Sequence, residues 1–283
     1  GWTMKSKSAP LTLISFFLGM LMLTMTPAHA APKAELWKIW TAHDPASTAQ
    51  VDHSAWDGFL KIYVKDNPTG LNRFDYGGVS DADRSALDAY LKALSTIPVA
   101  TLNRGEQQAF WINLYNALTV KVILDHYPVE TIRDIDITPG LFADGPWGKK
   151  LIAVAGTPGS LDDIEHRILR PIWQDNRIHY AVNCASVGCP DLINRAYVAG
   201  DMDAVLTQNA KAYINSDRGL RLNGGTIIVS SIYDWFQADF GDSEQGVLQH
   251  LRMYAEGARK AALEKTDDID DYDYDWTLTG AQR

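Results

Sequence analysis

Residues 103–126 read NRGEQQAFWINLYNALTVKVILDH, and the fold turns on this run. Asn103 with Glu106 is a helix-opening pair, and the helix it opens runs to about His126, just before Pro128. Its apolar residues point in every direction: Phe110, Trp111, Ile112, Leu114, Leu118, Val120, Val122 and Ile123. A helix apolar all round belongs at the centre of a protein. Asn113 and Asn116, three apart, share one of its faces with Ala109, Ala117 and Val120. Two buried amides need several hydrogen bonds between them. They are expected to hold a substrate amide, orient a histidine or line an oxyanion site, or else to pin a neighbouring loop.

Working outward, residues 34–64 read as two short helices carrying Trp37, Trp40, Trp56, Leu60 and Tyr63. Ser80 with Asp83 opens a further helix, whose Leu87, Tyr90, Leu91 and Leu94 recur at helical spacing and which Ile97-Pro98 ends. Beyond the central helix, a Gly/Pro-rich loop (139–148) leads to a strand at 151–154. Ser160 and Asp163 then cap a helix that should stop at Pro171. Arg177 to Cys184 reads as a strand and 202–215 as a helix. Residues 220–222 and 226–229 flank Asn223-Gly224-Gly225, a hairpin signal. Residues 232–240 and 244–264 look helical. The tail, 267–275, holds six acids, but the alternating Tyr272, Tyr274 and Trp276 argue for a docked strand. There is no internal repeat and no Gly/Ser linker. Helices around a few short strands, without βαβ alternation, predict an α+β fold: a central buried helix packed on a small antiparallel sheet, with additional helices. A single domain is expected over 31–283.

Composition narrows the function class. Of 283 residues, 46% are hydrophobic and 22% charged, which excludes a collagenous, low-complexity or largely disordered chain. Two cysteines exclude a disulfide-dense scaffold. A net charge of −9, with no long basic run, argues against nucleic acid. Met4, Lys5 and Lys7 precede an uncharged run from Leu11 to Met25, which ends in Ala28-His29-Ala30. Basic, apolar, small-x-small is the pattern of a secretory signal peptide, expected to be cut after Ala30. Its apolar core is short of the ~20 residues that span a bilayer, and no later segment is long and apolar enough. The chain is therefore expected to be periplasmic or secreted, in an oxidising compartment, without a transmembrane span after cleavage.

Three places put polar groups where apolar ones are expected. Glu165 falls inside the apolar stripe of Leu161, Ile164, Ile168, Leu169 and Ile172, with His166 on its flank. A buried carboxylate needs a partner or a shifted pKa, which makes Glu165 a candidate for function or for structural pairing. In the expected strand, His179 and Asn183 share a face and Cys184 points to the other. Cys189 precedes Pro190, a favoured first helical residue, so it is expected as an N-cap whose thiol the helix dipole acidifies. Gly188 would let the loop fold back toward His179. On that geometry Cys189 is the better nucleophile, Cys184 the lesser one, and His179 the base. The rival reading is a Cys184–Cys189 disulfide across a short loop. A zinc site from His166, His179, Cys184 and Cys189 is a third, without supporting ligand spacing.

The strings AFWINLYNALTV (109–120), SLDDIEHRILR (160–170), RIHYAVNCASVGCPDL (177–192), YDWFQADF (233–240) and YDYDWTL (272–278) resemble the domain of unknown function 547 family. That family is remotely papain-like and transglutaminase-like. The resemblance implies such an α+β core, and acyl-transfer chemistry at an amide by a cysteine, a histidine and an Asp or Asn. In this sequence the central helix carries no cysteine, and both cysteines follow His166 and His179.

Two functional expectations result. One is an exported cysteine-dependent amide hydrolase or acyltransferase: Cys189 or Cys184 attacks, His179 takes the proton, Glu165 orients the imidazole, and Asn113 or Asn116 polarises the carbonyl. In it His166 and Asn183 join Asn113 and Asn116 in contacting substrate. The other is a non-catalytic binding module on the same fold, braced by the disulfide, for a peptide, amide or other envelope-derived ligand. Neither calls for a cofactor, a resident metal or a nucleic-acid partner.

Overall fold

The computed structural model describes residues 31–68 and 70–280, so the expected leader, 1–30, lies outside the described residues. A 3-10 turn, Lys38–Trp40, precedes α1 (Ser54–Tyr63), which runs into a two-stranded ribbon, β1 (Val64–Lys65) and β2 (Arg73–Phe74). Helices α2 (Asp81–Ser95) and α3 (Arg104–His126) follow, then the hairpin β3 (Ile152–Val154) and β4 (Thr157–Gly159). A π-helical stretch, Asp163–Leu169, continues into α4 (Arg170–Trp173), and a 3-10 turn spans Asn176–Tyr180. The remainder is α5 (Met202–Ile214), β5 (Leu220–Asn223), β6 (Thr226–Ser230), α6 (Ile232–Trp235), α7 (Glu244–Tyr254), α8 (Gly257–Glu264) and β7 (Asp271–Asp273). The class is α+β.

The capping pairs act as the sequence implies. Ser80 Oγ accepts the Asp83 N–H at 3.1 Å, and Asn103 Oδ1 accepts the Glu106 N–H at 2.9 Å, each satisfying a donor that helix geometry orphans. Every residue of α3 from Gln107 to Val120 is buried. It packs chiefly on α2 and on the Asp163–Leu169 stretch, in a hydrophobic cluster that also takes Trp56 and Leu60 of α1. The three-stranded sheet belongs to a second cluster, with Tyr213 of α5 and Leu248 of α7. The packing of α3 is therefore mainly helix on helix. The sheet itself is mixed: β5 pairs antiparallel with β6, while β7, the docked acidic tail, pairs parallel to β6 with Val229 opposite Tyr272. Residues 244–264 form two helices rather than one, because the chain turns extended at Ala255–Glu256 and takes φ +59° at Gly257.

Two further expectations are corrected. The helix opened by Ser160 does not stop at Pro171 but reaches Trp173, ending on a left-handed Gln174 (φ 51°). Pro171 has no N–H to give to the turn behind it, which leaves one carbonyl there, that of Arg167 or of His166, without its helical partner. The N-terminal segment supplies donors to both: the Glu35 N–H reaches His166 O and the Trp37 N–H reaches Arg167 O, both at 3.0 Å. Nor is 177–184 a strand. Asp175 Oδ1 accepts the Arg177 N–H at 3.0 Å and its carboxylate holds the Arg177 guanidinium, which starts the 3-10 turn instead.

Two buried histidines set an acid limit on this core. His250 Nε2 lies 2.7 Å from the Tyr180 hydroxyl; burial, then the charge of His179, push its pKa down to about 4 against the pull of Asp175. His53, with Nδ1 2.6 Å from the Tyr90 hydroxyl, is pushed by burial to about 4 against the pull of Asp52. Each is neutral in the fold, while an unfolded histidine protonates near pH 6.5. The stability this preserves is complete above about pH 6.5 and is lost as the pH falls toward 4. Urea unfolding at steps between pH 7.5 and 4 should show that decline. The His250→Gln variant should show a shallower one; a parallel decline in that variant would place the acid sensitivity elsewhere.

Candidate functional site

The two amides of α3 fix the segments that surround the cysteines. Asn116 Oδ1 accepts the Asn183 N–H at 2.9 Å and its Nδ2 donates to Ala181 O at 3.0 Å. Asn113 treats Tyr197 in the same way, accepting from N–H at 2.9 Å and donating to O at 2.8 Å. Each side chain thus supplies the donor–acceptor pair that a neighbouring strand would otherwise give. Asn183 repeats the device inside the loop: Nδ2 donates to Pro190 O and Oδ1 accepts from the Ala185 N–H, both at 2.9 Å. All three amides, expected as substrate contacts, face main chain.

Cys184 and Cys189 are joined, with their Cα atoms 6.3 Å apart. Both sulfurs are therefore occupied, and neither is a nucleophile in this form. Residues 190–193 are not helical, so Cys189 is no N-cap: Asp191 turns away to accept the Asn72 N–H and an Arg218 N–H. The C-terminal segment clamps the loop. The Val187 N–H donates to Thr277 O and the Gly188 N–H to Asp275 O, at 2.8 Å each, and the Thr279 N–H to Ala185 O at 2.9 Å. This brings the Tyr274 hydroxyl to 2.9 Å from Cys184 Sγ and 3.0 Å from Cys189 Sγ. Gly188 serves this clamp rather than a fold-back to His179. A Cβ there would sit 2.8 Å from the Tyr274 ring and 2.9 Å from the Asp275 nitrogen.

His179 meets a different set. Its Nε2 donates to Asp239 Oδ2 at 2.7 Å, and Arg170 grips the same carboxylate through Nε (2.7 Å) and Nη2 (3.1 Å). Burial alone would raise the Asp239 carboxyl, but hydrogen bonds and charge from His179 and Arg170 outweigh it and hold it well below the usual carboxylate range. Arg170 Nη1 donates to His166 Nδ1 at 3.0 Å and to Pro32 O at 2.7 Å. The Phe236 ring covers the group, with its centroid 4.2 Å from that of His179 and 4.9 Å from the Arg170 guanidinium. The carboxylate on His179 is thus Asp239, not Glu165. Glu165 lies buried beside the Tyr115 hydroxyl, with Oε2 3.9 Å from His166 Nδ1. Among the described residues, no hydrogen bond joins His179 or Glu165 to either sulfur, and no cluster of acids, histidines and cysteines is placed to hold a metal ion. The disulfide takes both thiolates of the zinc set.

Sequence reasoning missed Asp239, Arg170, Tyr274 and Arg218. All four act across long sequence separations, although Arg170, Asp239 and Tyr274 stand inside the quoted motifs 160–170, 233–240 and 272–278. It also missed an open cleft of about 1170 Å³ beside the disulfide loop. Val187, Pro190 and Asp191 form one wall and Asn194, Gln208 and Tyr213 contribute to the rest.

Residues 99–214 match the model of a family described as protein of unknown function, DUF547. The span takes in α3, the π-helical stretch, both cysteines and α5. No curated protein and no solved structure matches the chain.

The Asn116→Leu substitution should strand a buried N–H and a buried C=O, each costing ~1–3 kcal/mol. We expect about 2–4 kcal/mol less stability by chemical denaturation; a loss below about 1 kcal/mol would mean the loop is held by other means. Gly188→Ala should dislodge the tail at Tyr274, which packs against Trp235 and Trp276, so tryptophan fluorescence should shift in the folded state. Unchanged fluorescence would show that the clamp tolerates a methyl group.

Proposed function

We propose that the chain, exported and cut after Ala30, is an envelope binding module whose ligand lies in the cleft beside the disulfide loop. The observation that carries this reading is the cleft's chemistry. Arg195, Arg218 and Arg259 on its walls are each held by an acid of the same chain: Asp201 at 2.7 Å, Asp191 at 3.1 Å and Asp217 at 2.8 Å. With the arginine charges matched internally and Lys211 set among the acids Asp66 and Glu256, the exposed amides of Asn194 and Gln208 favour a polar ligand rich in amides, such as a peptide. The disulfide then braces one wall, and ligand binding does not need its sulfurs.

Thermal unfolding with a panel of short peptides and N-acetylated oligosaccharides tests this. A ligand at 100 times its Kd should add about 2.7 kcal/mol of stability. The paired substitutions Asn194→Leu and Gln208→Leu should abolish the shift. A disulfide-free Cys184→Ser, Cys189→Ser variant should still bind. A panel without any stabilising member, or stabilisation indifferent to Asn194 and Gln208, would overturn the reading.

A second reading, a cysteine-dependent amide hydrolase or acyltransferase, is favoured by the His179–Asp239 pair, the imidazole–carboxylate half of a nucleophilic site. The remote papain-like and transglutaminase-like resemblance of the family points the same way. This reading requires both sulfurs to be released. Amide cleavage by the reduced protein, abolished in Cys189→Ser, would put it first.

A further inference from the structure

We propose that the Cys184–Cys189 disulfide is a thiol–disulfide exchange site that takes electrons from a dithiol, with Cys184 the sulfur attacked and Cys189 the sulfur that leaves. This stands apart from the binding reading, since it concerns the sulfurs and not the cleft. Two observations set the direction. Cys184 is the more exposed of the pair, whereas Cys189 is 4% exposed. The surroundings of Cys189 are also those of a stabilised thiolate: the Cys184 N–H donates to its Sγ at 3.2 Å and Arg218 Nη1 donates to its carbonyl oxygen, while the Tyr274 hydroxyl, 2.9 Å from Cys184 Sγ and 3.0 Å from Cys189 Sγ, is in reach of whichever sulfur carries the charge. Donors and a nearby cation lower a thiol's pKa, and a sulfur of lower pKa leaves faster. Asp191, which shares Arg218, and Glu165, whose charge acts on Tyr274, oppose this in part. Burial keeps the Tyr274 hydroxyl far above the usual tyrosine range, so it remains a donor at any pH where exchange runs.

The exchange balances as follows. A thiolate of the donor attacks Cys184 Sγ, the sulfur–sulfur bond breaks, and its electron pair leaves on Cys189 Sγ. The donor's second thiol loses its proton and attacks the donor sulfur of the mixed disulfide, releasing Cys184 as a thiolate. Two electrons and two protons pass to the cysteine pair, and the donor departs as its disulfide.

The folded mature chain is exposed to dithiothreitol without denaturant, quenched in acid, alkylated and weighed. Two thiols should appear while near-ultraviolet circular dichroism keeps its native form. Tyr274→Phe should slow the reduction about tenfold, the effect of losing one hydrogen bond to a developing thiolate. Arg218→Gln, which removes no hydrogen bond of the tail, should slow it as well and move the alkylation profile of Cys189 to higher pH. Glutathione, a monothiol, should leave its adduct on Cys184. An adduct on Cys189 would overturn the assignment of the leaving sulfur. Reduction that proceeds only in denaturant, or at one rate in the wild type and both variants, would overturn the exchange site itself.

Discussion

A buried α-helix uses its backbone hydrogen bonds within itself, so it can hold the segments around it only through side chains. The structure rests on how α3 meets this constraint. Asn113 and Asn116 lie one turn apart on its buried face, and each offers one donor and one acceptor to a passing strand of main chain. Leucine in either place would fit a helix apolar all round, but would leave irregular backbone without partners in a dry interior. The two amides therefore decide where 181–183 and Tyr197 run. The disulfide loop and one wall of the cleft follow from that. Asn183, which Asn116 holds, closes the loop by reaching across to Pro190.

The tail completes what α3 begins. The chain from Asp271 to Asp273 extends the sheet beside β6, and the next few residues lay a ladder against 185–188. One continuous segment thus joins the sheet of the second hydrophobic cluster to a loop anchored on the helix of the first. Its six acids stay at the surface while Tyr272 packs inward, so the alternation of period two is satisfied with the charges outward. The closest approach comes at Gly188, where the absence of a side chain lets the Tyr274 ring pack against the loop and brings its hydroxyl to both sulfurs.

What could be read from the chain beforehand was what is local. The pairs Ser80 with Asp83 and Asn103 with Glu106 act within one turn, and the apolar circumference of α3 needs no partner to be recognised. The docking of the tail was legible because Tyr272, Tyr274 and Trp276 alternate. The run 177–184 was not, since a short apolar segment satisfies period two whether or not it is extended; Asp175, just upstream, held the better signal. The helix outran Pro171 while carbonyls of the turn before it found donors 130 and 131 residues away in sequence, at Trp37 and Glu35. No local rule reports such a rescue. The same is true of the site: Glu165 was found as a carboxylate out of place, but the acid that binds His179 came from the distant segment that ends at Phe240.

The grouping around Asp239 also weighs on the choice between a catalytic and a binding role. In a nucleophilic site the carboxylate favours the imidazolium that forms as the base takes its proton. Here Arg170 Nε and His179 Nε2 both donate to Oδ2, each at 2.7 Å, so two cationic groups would stand within two hydrogen bonds of one another. Unit charges about 5 Å apart repel by roughly 3 kcal/mol at an effective dielectric near 20. That offsets much of what the aspartate contributes to a protonated His179. The forked guanidinium grip, the Pro32 carbonyl on the same arginine and the covering Phe236 ring suit a different task. They tie the Asn176–Tyr180 turn, the helix around Pro171 and the start of the described chain into one latch. The binding and exchange sites proposed above, in the cleft and at the disulfide, draw on none of these latch residues.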